Sequence, residues 1–290
     1  MLSIATIGFF DGVHKGHQFL FTHLQQEAKA RGVQPLVVTF GTHPRAVLQA
    51  DYIPQLLTSL DERKALLSTY GEVLVLPFAD ICHLTAQEFM RLLHDQYQVT
   101  TLLMGYDHQF GSDRLRCHQD YCQIGEQVGI EVLSLGEFVE GESHISSTEI
   151  RQALLCGNIL VANDLLGRPY TLSGIVSHGN GIGRTIGFPT ANIVPSDPHK
   201  IIPEAGVYAV KITNHSSPII HQKALCNIGT NPTIGNNKTT IEVHIPHFNG
   251  DLYDQELSLE FVRRIREEHK FDSLDALRAQ IQEDLNSLTV

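Results

Sequence analysis

The stretch Gly8-Phe9-Phe10-Asp11-Gly12-Val13-His14-Lys15-Gly16-His17 joins recurring glycines to an aspartate and two histidines three residues apart. Glycine lets the backbone come close to a ligand, and residues at i and i+3 are neighbours once a helix has begun. A helix opening here offers unpaired N–H groups to phosphate. His14 and His17 can then meet that phosphate from one side, with Gly16 leaving room between them. The arrangement suits a nucleoside triphosphate, with Gly8, Phe9, Asp11 and Gly12 as candidate nucleotide contacts and His14 and His17 facing its phosphates. A zinc reading fits less well, because helix-borne zinc pairs favour i, i+4 with a glutamate, as in His-Glu-x-x-His. Mg²⁺ prefers oxygen to imidazole.

The elements that must position these residues follow from periodicity. Residues 2–7 are apolar, and residues 17–30 carry Phe19, Leu20, Leu24 and Ala28 at helical spacing, so the motif lies between a strand and a helix. Further strands are expected at 36–40, 73–76, 99–104 and 131–135. Between them, Ser59 with Glu62 and Thr85 with Glu88 form capping boxes, the first opening a helix that Gly71 closes and the second a helix to about Gln96; another helix is expected over 113–128. Alternating strands and helices imply a parallel sheet covered on both faces, whose ligands bind beyond the carboxyl ends of the strands. After Gly157 the texture changes. A short helix through Leu166 leads to Gly167-Arg168-Pro169, and strand-like runs follow at 172–177, 207–212, 224–228, 239–245 and 257–261. This pattern predicts a small antiparallel barrel or sandwich. Asp272 is placed to cap a last helix with Leu274, Leu277, Ile281 and Leu285 on one face. Two domains result, 1–168 and 169–290.

Composition bounds the partners. A length of 290 residues with 42% hydrophobic content supports two cores, and a formal net charge of -11 argues against sequence-independent binding of nucleic acid, which needs a basic stripe. The cysteines, Cys82, Cys117, Cys122, Cys156 and Cys226, are odd in number and lack Cys-x-x-Cys spacing, so reduced thiols are expected. No apolar run approaches the roughly 18 residues of a membrane span, and the first strand lacks a basic lead-in. The expectation is a cytoplasmic protein with small-molecule partners and neither membrane nor nucleic acid, its oligomeric state left open.

The first motif resembles that of the His-x-Gly-His nucleotidylyltransferases, and among them the FAD synthetase module of bacterial bifunctional riboflavin kinase/FAD synthetases. A second motif, Ile145-Ser146-Ser147-Thr148-Glu149-Ile150-Arg151, matches that family's Ile-Ser-Ser-Thr-x-Ile-Arg. Ser146 and Glu149 can form a capping box, which puts Ser147 and Thr148 in a first helical turn where hydroxyls and free N–H groups hold phosphate, with Arg151 adding charge. The resemblance implies a Rossmann-like fold for this domain and attack of the FMN phosphate on the α-phosphorus of ATP, with release of pyrophosphate. His14, His17 and Arg151 would neutralise the growing charge. It also implies flavin contacts in Gly105-Tyr106-Asp107-His108-Gln109-Phe110-Gly111, through Asp107 and Phe110. Two positions depart from the family pattern: Thr42 stands for the first proline of Pro-His-Pro, and Cys117 for a glycine.

In the second half, residues 179–192 are glycine-rich without being a P-loop, which needs a lysine, or a dinucleotide fingerprint, which needs glycine where Arg184 stands. Pro189-Thr190-Ala191-Asn192 matches the Pro-Thr-Ala-Asn signature of riboflavin kinases. Thr190 and Asn192, at alternate positions of an extended segment, point the same way and offer oxygens suited to Mg²⁺ carrying ATP phosphates, beside Gly181 and Gly183. Alternation over residues 239–245 puts Glu242 and His244 opposite Ile241, Val243 and Ile245. By the resemblance, Glu242 takes the proton of the riboflavin 5'-hydroxyl as it attacks the γ-phosphate. Gly206-Val207-Tyr208, the run from Asn227 to Thr233, and Phe261-Val262-Arg263 also match, with Arg263 a flavin contact. Asp254 replaces a common glycine. The resemblance therefore implies synthesis of FMN from riboflavin and then of FAD from FMN, with ATP in both steps. Two other readings stay open: a kinase with an impaired adenylyltransferase module, and a non-catalytic flavin-binding regulator.

Overall fold

The computed structural model describes residues 1–106, 108–115, 117–136, 139–140, 143–179, 181–213, 221–231 and 238–288. The chain divides into two compact units, Met1–Ser147 and Thr148–Val290.

The first unit runs β1 (Ser3–Ile7), α1 (Lys15–Arg31), β2 (Gln34–Phe40), α2 (Pro44–Leu48), α3 (Leu60–Leu67), β3 (Glu72–Leu76), α4 (Phe78–Ile81), α5 (Ala86–Tyr97), β4 (Val99–Met104), α6 (His118–Val128) and β5 (Glu131–Ser134). A short hairpin of β6 (Val139–Glu140) and β7 (Ser143–His144) follows, and α7 (Ser147–Leu155) starts at the unit's end. Among the described residues the main sheet has the order β3-β2-β1-β4-β5, parallel throughout. Every residue of β1 is buried, as expected for a central strand covered on both faces. Chain order reverses between β1 and β4, and the crevice beyond their carboxyl ends is the place where such sheets bind ligands. The loop from Gly8 to His14 leaves β1 at that point.

Both capping boxes are present. Ser59 Oγ accepts from Glu62 N (3.2 Å) while Glu62 accepts from Ser59 N (2.9 Å), and Thr85 and Glu88 repeat the exchange. Gly71 does not close α3, which ends at Leu67 with Ser68 as its C-cap. Instead Gly71 allows close backbone approach, since a Cβ there would lie 2.5 Å from the Pro35 carbonyl oxygen. The sixth helix starts at His118, not at Asp113, because the preceding segment is bonded elsewhere through both backbone and side chain. Phe110 N donates to Tyr121 Oη (3.0 Å), and the Asp113 carboxylate accepts from Ala86 N (3.0 Å). Burial pushes the Tyr121 phenol above its ordinary pKa.

The second unit contains α8 (Ile159–Leu166), β8 (Tyr170–Ser177), α9 (Ile182–Thr185), β9 (Thr190–Pro195), β10 (Gly206–Ile212), β11 (Lys223–Asn231), β12 (Lys238–His244), β13 (Glu256–Arg266) and α10 (Leu274–Ser287). The strands form a closed antiparallel barrel in the order β10-β11-β12-β9-β8-β13, which leaves no open edge. The cap of α10 is Ser273, whose hydroxyl accepts from Ala276 N (3.2 Å), in place of Asp272. Ile281 and Leu285 pack on Val207, Ala209 and Leu225, while Leu274 stays 61% exposed and lies off that contact. Arg266 fastens the helix through the buried Asp284 carboxylate (2.9–3.1 Å).

Candidate active sites

In the first unit the turn after β1 is held in an unusual backbone. Phe10 (φ 55°), Gly12 (φ 80°) and Val13 (φ 45°) all occupy the left-handed region. For Phe10 and the β-branched Val13 this costs on the order of 1–3 kcal/mol each, so the surroundings must impose it. They do so at three points. The buried Asp11 carboxylate accepts from Leu57 N, Thr58 N and Thr58 Oγ1 at 3.0–3.1 Å, and Gly12 N donates to Thr58 Oγ1 (3.1 Å). The Phe10 ring rests edge-on against Phe21 and His17, in space that a Cβ on Gly8 would fill at 2.6 Å. Ser147 Oγ donates to the Asp11 carbonyl oxygen (2.9 Å), which brings the second motif against the first.

The consequence is the placement of the histidines. His14 is the N-cap residue of α1, and its ring stacks on that of His17 with centroids 3.7 Å apart and planes 22° from parallel. Both imidazoles therefore lie at a helix N-terminus whose first turn carries no acidic residue, where the helix dipole favours an anion. A Cβ on Gly16 would be 3.3 Å from the His14 ring and 3.6 Å from the Ile145 carbonyl oxygen, so this glycine keeps the two motifs close. Phe9 is flanked by His43 (4.7 Å) and by the guanidinium of Arg63 (4.1 Å). Ser146 precedes α7; Thr148 and Arg151 continue that helix in the other unit, exposed and half-buried respectively.

Asp107 lies outside the described residues. Phe110 packs against Phe89 and Tyr121, within reach of the core. Asn180, Pro232 and Thr233 of the barrel motifs also lie outside the described residues.

In the barrel, β9 and β12 pair so that Asn192 is directly opposite Glu242 and Thr190 opposite His244. Thr190 Oγ1 donates to Glu242 Oε2 across the diagonal (3.3 Å). A Cβ on Gly183 would lie 2.3 Å from the Phe188 carbonyl oxygen and 3.3 Å from Thr190 Oγ1, and one on Gly179 only 2.1 Å from Asn192 Nδ2. The glycine-rich segment thus folds directly over the two oxygen-bearing side chains. Gly181 takes φ 69° as the N-cap of the short α9. Ile241, Val243 and Ile245 are buried, and Glu242 is half-buried on the opposite face. A cavity of about 920 Å³, a size that suits a drug-sized ligand, opens next to this group: Pro189 and His244 line it, with Gly187, Phe188, Leu285 and Asn286 among others, while Thr190, Asn192 and Glu242 are not in its wall. His244 Nδ1 pairs with the Pro189 carbonyl oxygen (2.8 Å) and joins the cavity wall to the Thr190 strand. Arg263 donates to the Ser287 carbonyl oxygen (2.6 Å) at the end of α10.

Some participants were missed in the sequence. Arg63, 1% exposed, donates to the Phe40 carbonyl oxygen (2.8 Å) and ties the end of β2 to the Phe9 ring. Its spacing in α3, three residues after Leu60 and four before the buried Leu67, was the available signal. Asn227 stands directly opposite Glu242 on β11, so that Asn227, Glu242, Asn192 and Ser177 form one row across four strands. The alternation with buried Cys226 and Ile228 was the available signal. Burial pushes the Cys226 thiol pKa well up, and the Glu242 carboxylate adds to the shift.

Comparisons with known proteins agree across both units. A family model described as FAD synthetase matches residues 2–149, and one described as riboflavin kinase matches residues 166–289. The bifunctional riboflavin kinase/FMN adenylyltransferase of Escherichia coli (strain K12) is 38% identical, over 97% of this chain and 90% of that protein. Those of Haemophilus influenzae and Bacillus subtilis are 36% and 35% identical, with 97% of this chain and 92% and 90% of theirs covered. A crystal structure described as a macrolide-efflux protein from Streptococcus pneumoniae superposes with a TM-score of 0.89 at 34% identity, over 99% of this chain and 94% of that one. Among the described residues no helix is long and apolar enough to cross a membrane. The chain belongs to the family of bifunctional riboflavin kinase/FMN adenylyltransferases.

Proposed function

We infer that this chain converts riboflavin and ATP to FMN in its barrel, and FMN and ATP to FAD and pyrophosphate in its α/β unit. The observation that carries the reading is the convergence of Thr190, Asn192 and Glu242 from two paired strands beneath a glycine-rich segment and beside a ligand-sized cavity. In the kinase step we assign riboflavin to that cavity, with Arg263 near its flavin end and the ATP phosphates against Gly181 and Gly183. Glu242 accepts the 5'-hydroxyl proton, and because phosphoryl transfer passes through a loose transition state, its placement matters more than its basicity. Thr190 and Asn192 supply neutral oxygens beside a carboxylate, a donor set that fits Mg²⁺. When bound there, Mg²⁺ neutralises charge on the ATP phosphates.

In the adenylyltransferase step no covalent enzyme intermediate is needed, so the task is alignment and charge neutralisation. Gly8, Phe9, Asp11 and Gly12 shape the nucleotide pocket, with Asp11 acting through the backbone it holds. Ser146 and Ser147, which precede and open α7, are assigned to phosphate, and Thr148 and Arg151 keep the same assignment from the Ile-Ser-Ser-Thr-x-Ile-Arg motif. Stacked imidazoles repel when both are protonated, so charge on His14 and His17 is best carried with polyphosphate against them. Asp107 and Phe110 are assigned to the flavin side. The functional modules are taken as 1–168 and 169–290; the two family models match 2–149 and 166–289. Substrates of this kind favour a cytoplasmic location. The test is chromatography of products after incubation with riboflavin, ATP and Mg²⁺. FMN and FAD in succession are expected; FMN alone selects the kinase-only reading, and unchanged riboflavin with no ADP selects the regulator.

A further inference from the structure

We propose that Thr190 is a positioning residue for the kinase base: its hydroxyl holds Oε2 of Glu242 and so turns Oε1 toward the substrate hydroxyl. The proposal rests on the assignment of Glu242 as that base. Its starting point is the diagonal bond from Thr190 Oγ1 to Glu242 Oε2 (3.3 Å). Side chains two positions off register share a face and meet across paired strands, as these do on β9 and β12. The last torsion of a glutamate is broad and roughly two-fold, so a single bond to one oxygen decides which oxygen faces outward. The donor is suited to this, because a β-branched threonine is stiff at χ1 and its hydroxyl is placed by the strand itself.

The same hydroxyl has one proton and two lone pairs. Donation to Glu242 uses the proton and leaves the lone pairs for a cation, so ligation and positioning do not compete. Space is kept open on that side by Gly183, where a Cβ would come within 3.3 Å of Thr190 Oγ1. Asn192 lies opposite Glu242 without a comparable role, so the two oxygen donors of the Pro-Thr-Ala-Asn segment are not equivalent. Asparagine serves the metal, and threonine serves both metal and base.

The test is a double-mutant cycle on the full chain at saturating riboflavin and ATP, with Mg²⁺ raised until activity plateaus. T190V is expected to lower kinase kcat about tenfold or more without recovery at high Mg²⁺, whereas T190S keeps most of it and the N192A deficit recovers as Mg²⁺ rises. E242A alone is expected to fall by about a hundredfold or more, and T190V/E242A to stay within about twofold of E242A, since a residue acting through another adds nothing once that other is gone. A readout independent of turnover is the urea midpoint of the ligand-free protein, where the same cycle should be non-additive. Full recovery of T190V by Mg²⁺, multiplying losses in the double variant, or additive midpoints would each overturn the proposal. Intact turnover in E242A would overturn the assignment of the base itself, a result separable from the others.

Discussion

At the scale of single residues, the first site depends on Asp11 more than on any histidine for its shape. Its carboxylate accepts donors of the segment at 57–58 at 3.0–3.1 Å, and the backbone around it takes positive φ at Phe10, Gly12 and Val13. Asp11→Asn keeps the size but, with its oxygen in the place of Oδ1, sets an NH₂ group against the buried Leu57 N–H, which costs roughly 1–3 kcal/mol. The strained turn then relaxes, and His14 loses its place at the start of α1. A lower urea midpoint is expected, together with FAD formation from FMN reduced at least tenfold and FMN formation from riboflavin retained; an undiminished FAD rate would contradict the role given to Asp11. Tyr208 supplies a pH-dependent counterpart in the barrel. Burial pushes its phenol up to about 12, with its hydroxyl donated to the Glu204 carbonyl oxygen. Both states hold the proton below about pH 10, and above it the unfolded chain ionises first, so this contribution to stability is lost between about pH 10 and 12. The loss is on the order of 2–3 kcal/mol, and urea midpoints measured upward from pH 8 should fall less steeply in Tyr208→Phe.

At the scale of elements, α10 matters because it walls the barrel cavity with Leu285 and Asn286 while its own first turn carries an exposed Leu274. Its polar hold on the barrel runs from the Arg278 bond to the Ile186 carbonyl oxygen to the Arg266–Asp284 pair and the Arg263 bond to Ser287 at its carboxyl end. Asp284→Ala leaves a mostly buried guanidinium uncompensated, at a cost toward the lower end of roughly 3–5 kcal/mol. The expected result is a several-fold weaker riboflavin affinity by fluorescence titration with FAD formation from FMN preserved. How far such elements could be read in advance depended on whether local forces set them. Capping boxes at Ser59 and Thr85 were legible because both partners lie within four residues. The start of α6 was not, since the Tyr121 hydroxyl takes the Phe110 amide and Ala86 N takes the Asp113 side chain, both partners distant in sequence. β9 was read only as an extended segment, because Thr190-Ala191-Asn192 lacks the apolar alternation of a half-buried strand and is a strand through its pairing with β8 and β12. The same holds for the sites. His14, His17, Thr190 and Asn192 stand out by spacing within one segment, whereas Arg63 and the Leu57–Thr58 amides join through tertiary contact alone.

At the scale of the whole molecule, the histidine motif lies in one compact unit and the Thr190, Asn192 and Glu242 group in the other, and the product of the barrel reaction is the substrate of the adenylyltransferase. Each unit is built on its own sheet, an open parallel one in the first and a closed barrel in the second. Removal of a reacting group in one is therefore expected to leave the chemistry of the other intact. Glu242→Ala should make FMN, and FAD from it, about a hundredfold or more slowly when supplied with riboflavin, yet make FAD at close to the parent rate when supplied with FMN. His17→Ala should do the opposite and accumulate FMN from riboflavin, with FAD formation reduced on the order of 10²-fold or more through loss of charge stabilisation. Mixing the two variants with riboflavin, ATP and Mg²⁺ then restores FAD through FMN released into solution. Restoration at a rate set by the dilute FMN pool fits independent sites. A mixture that makes no FAD, while each variant performs its own half reaction, would mean that FMN passes between sites only within one chain.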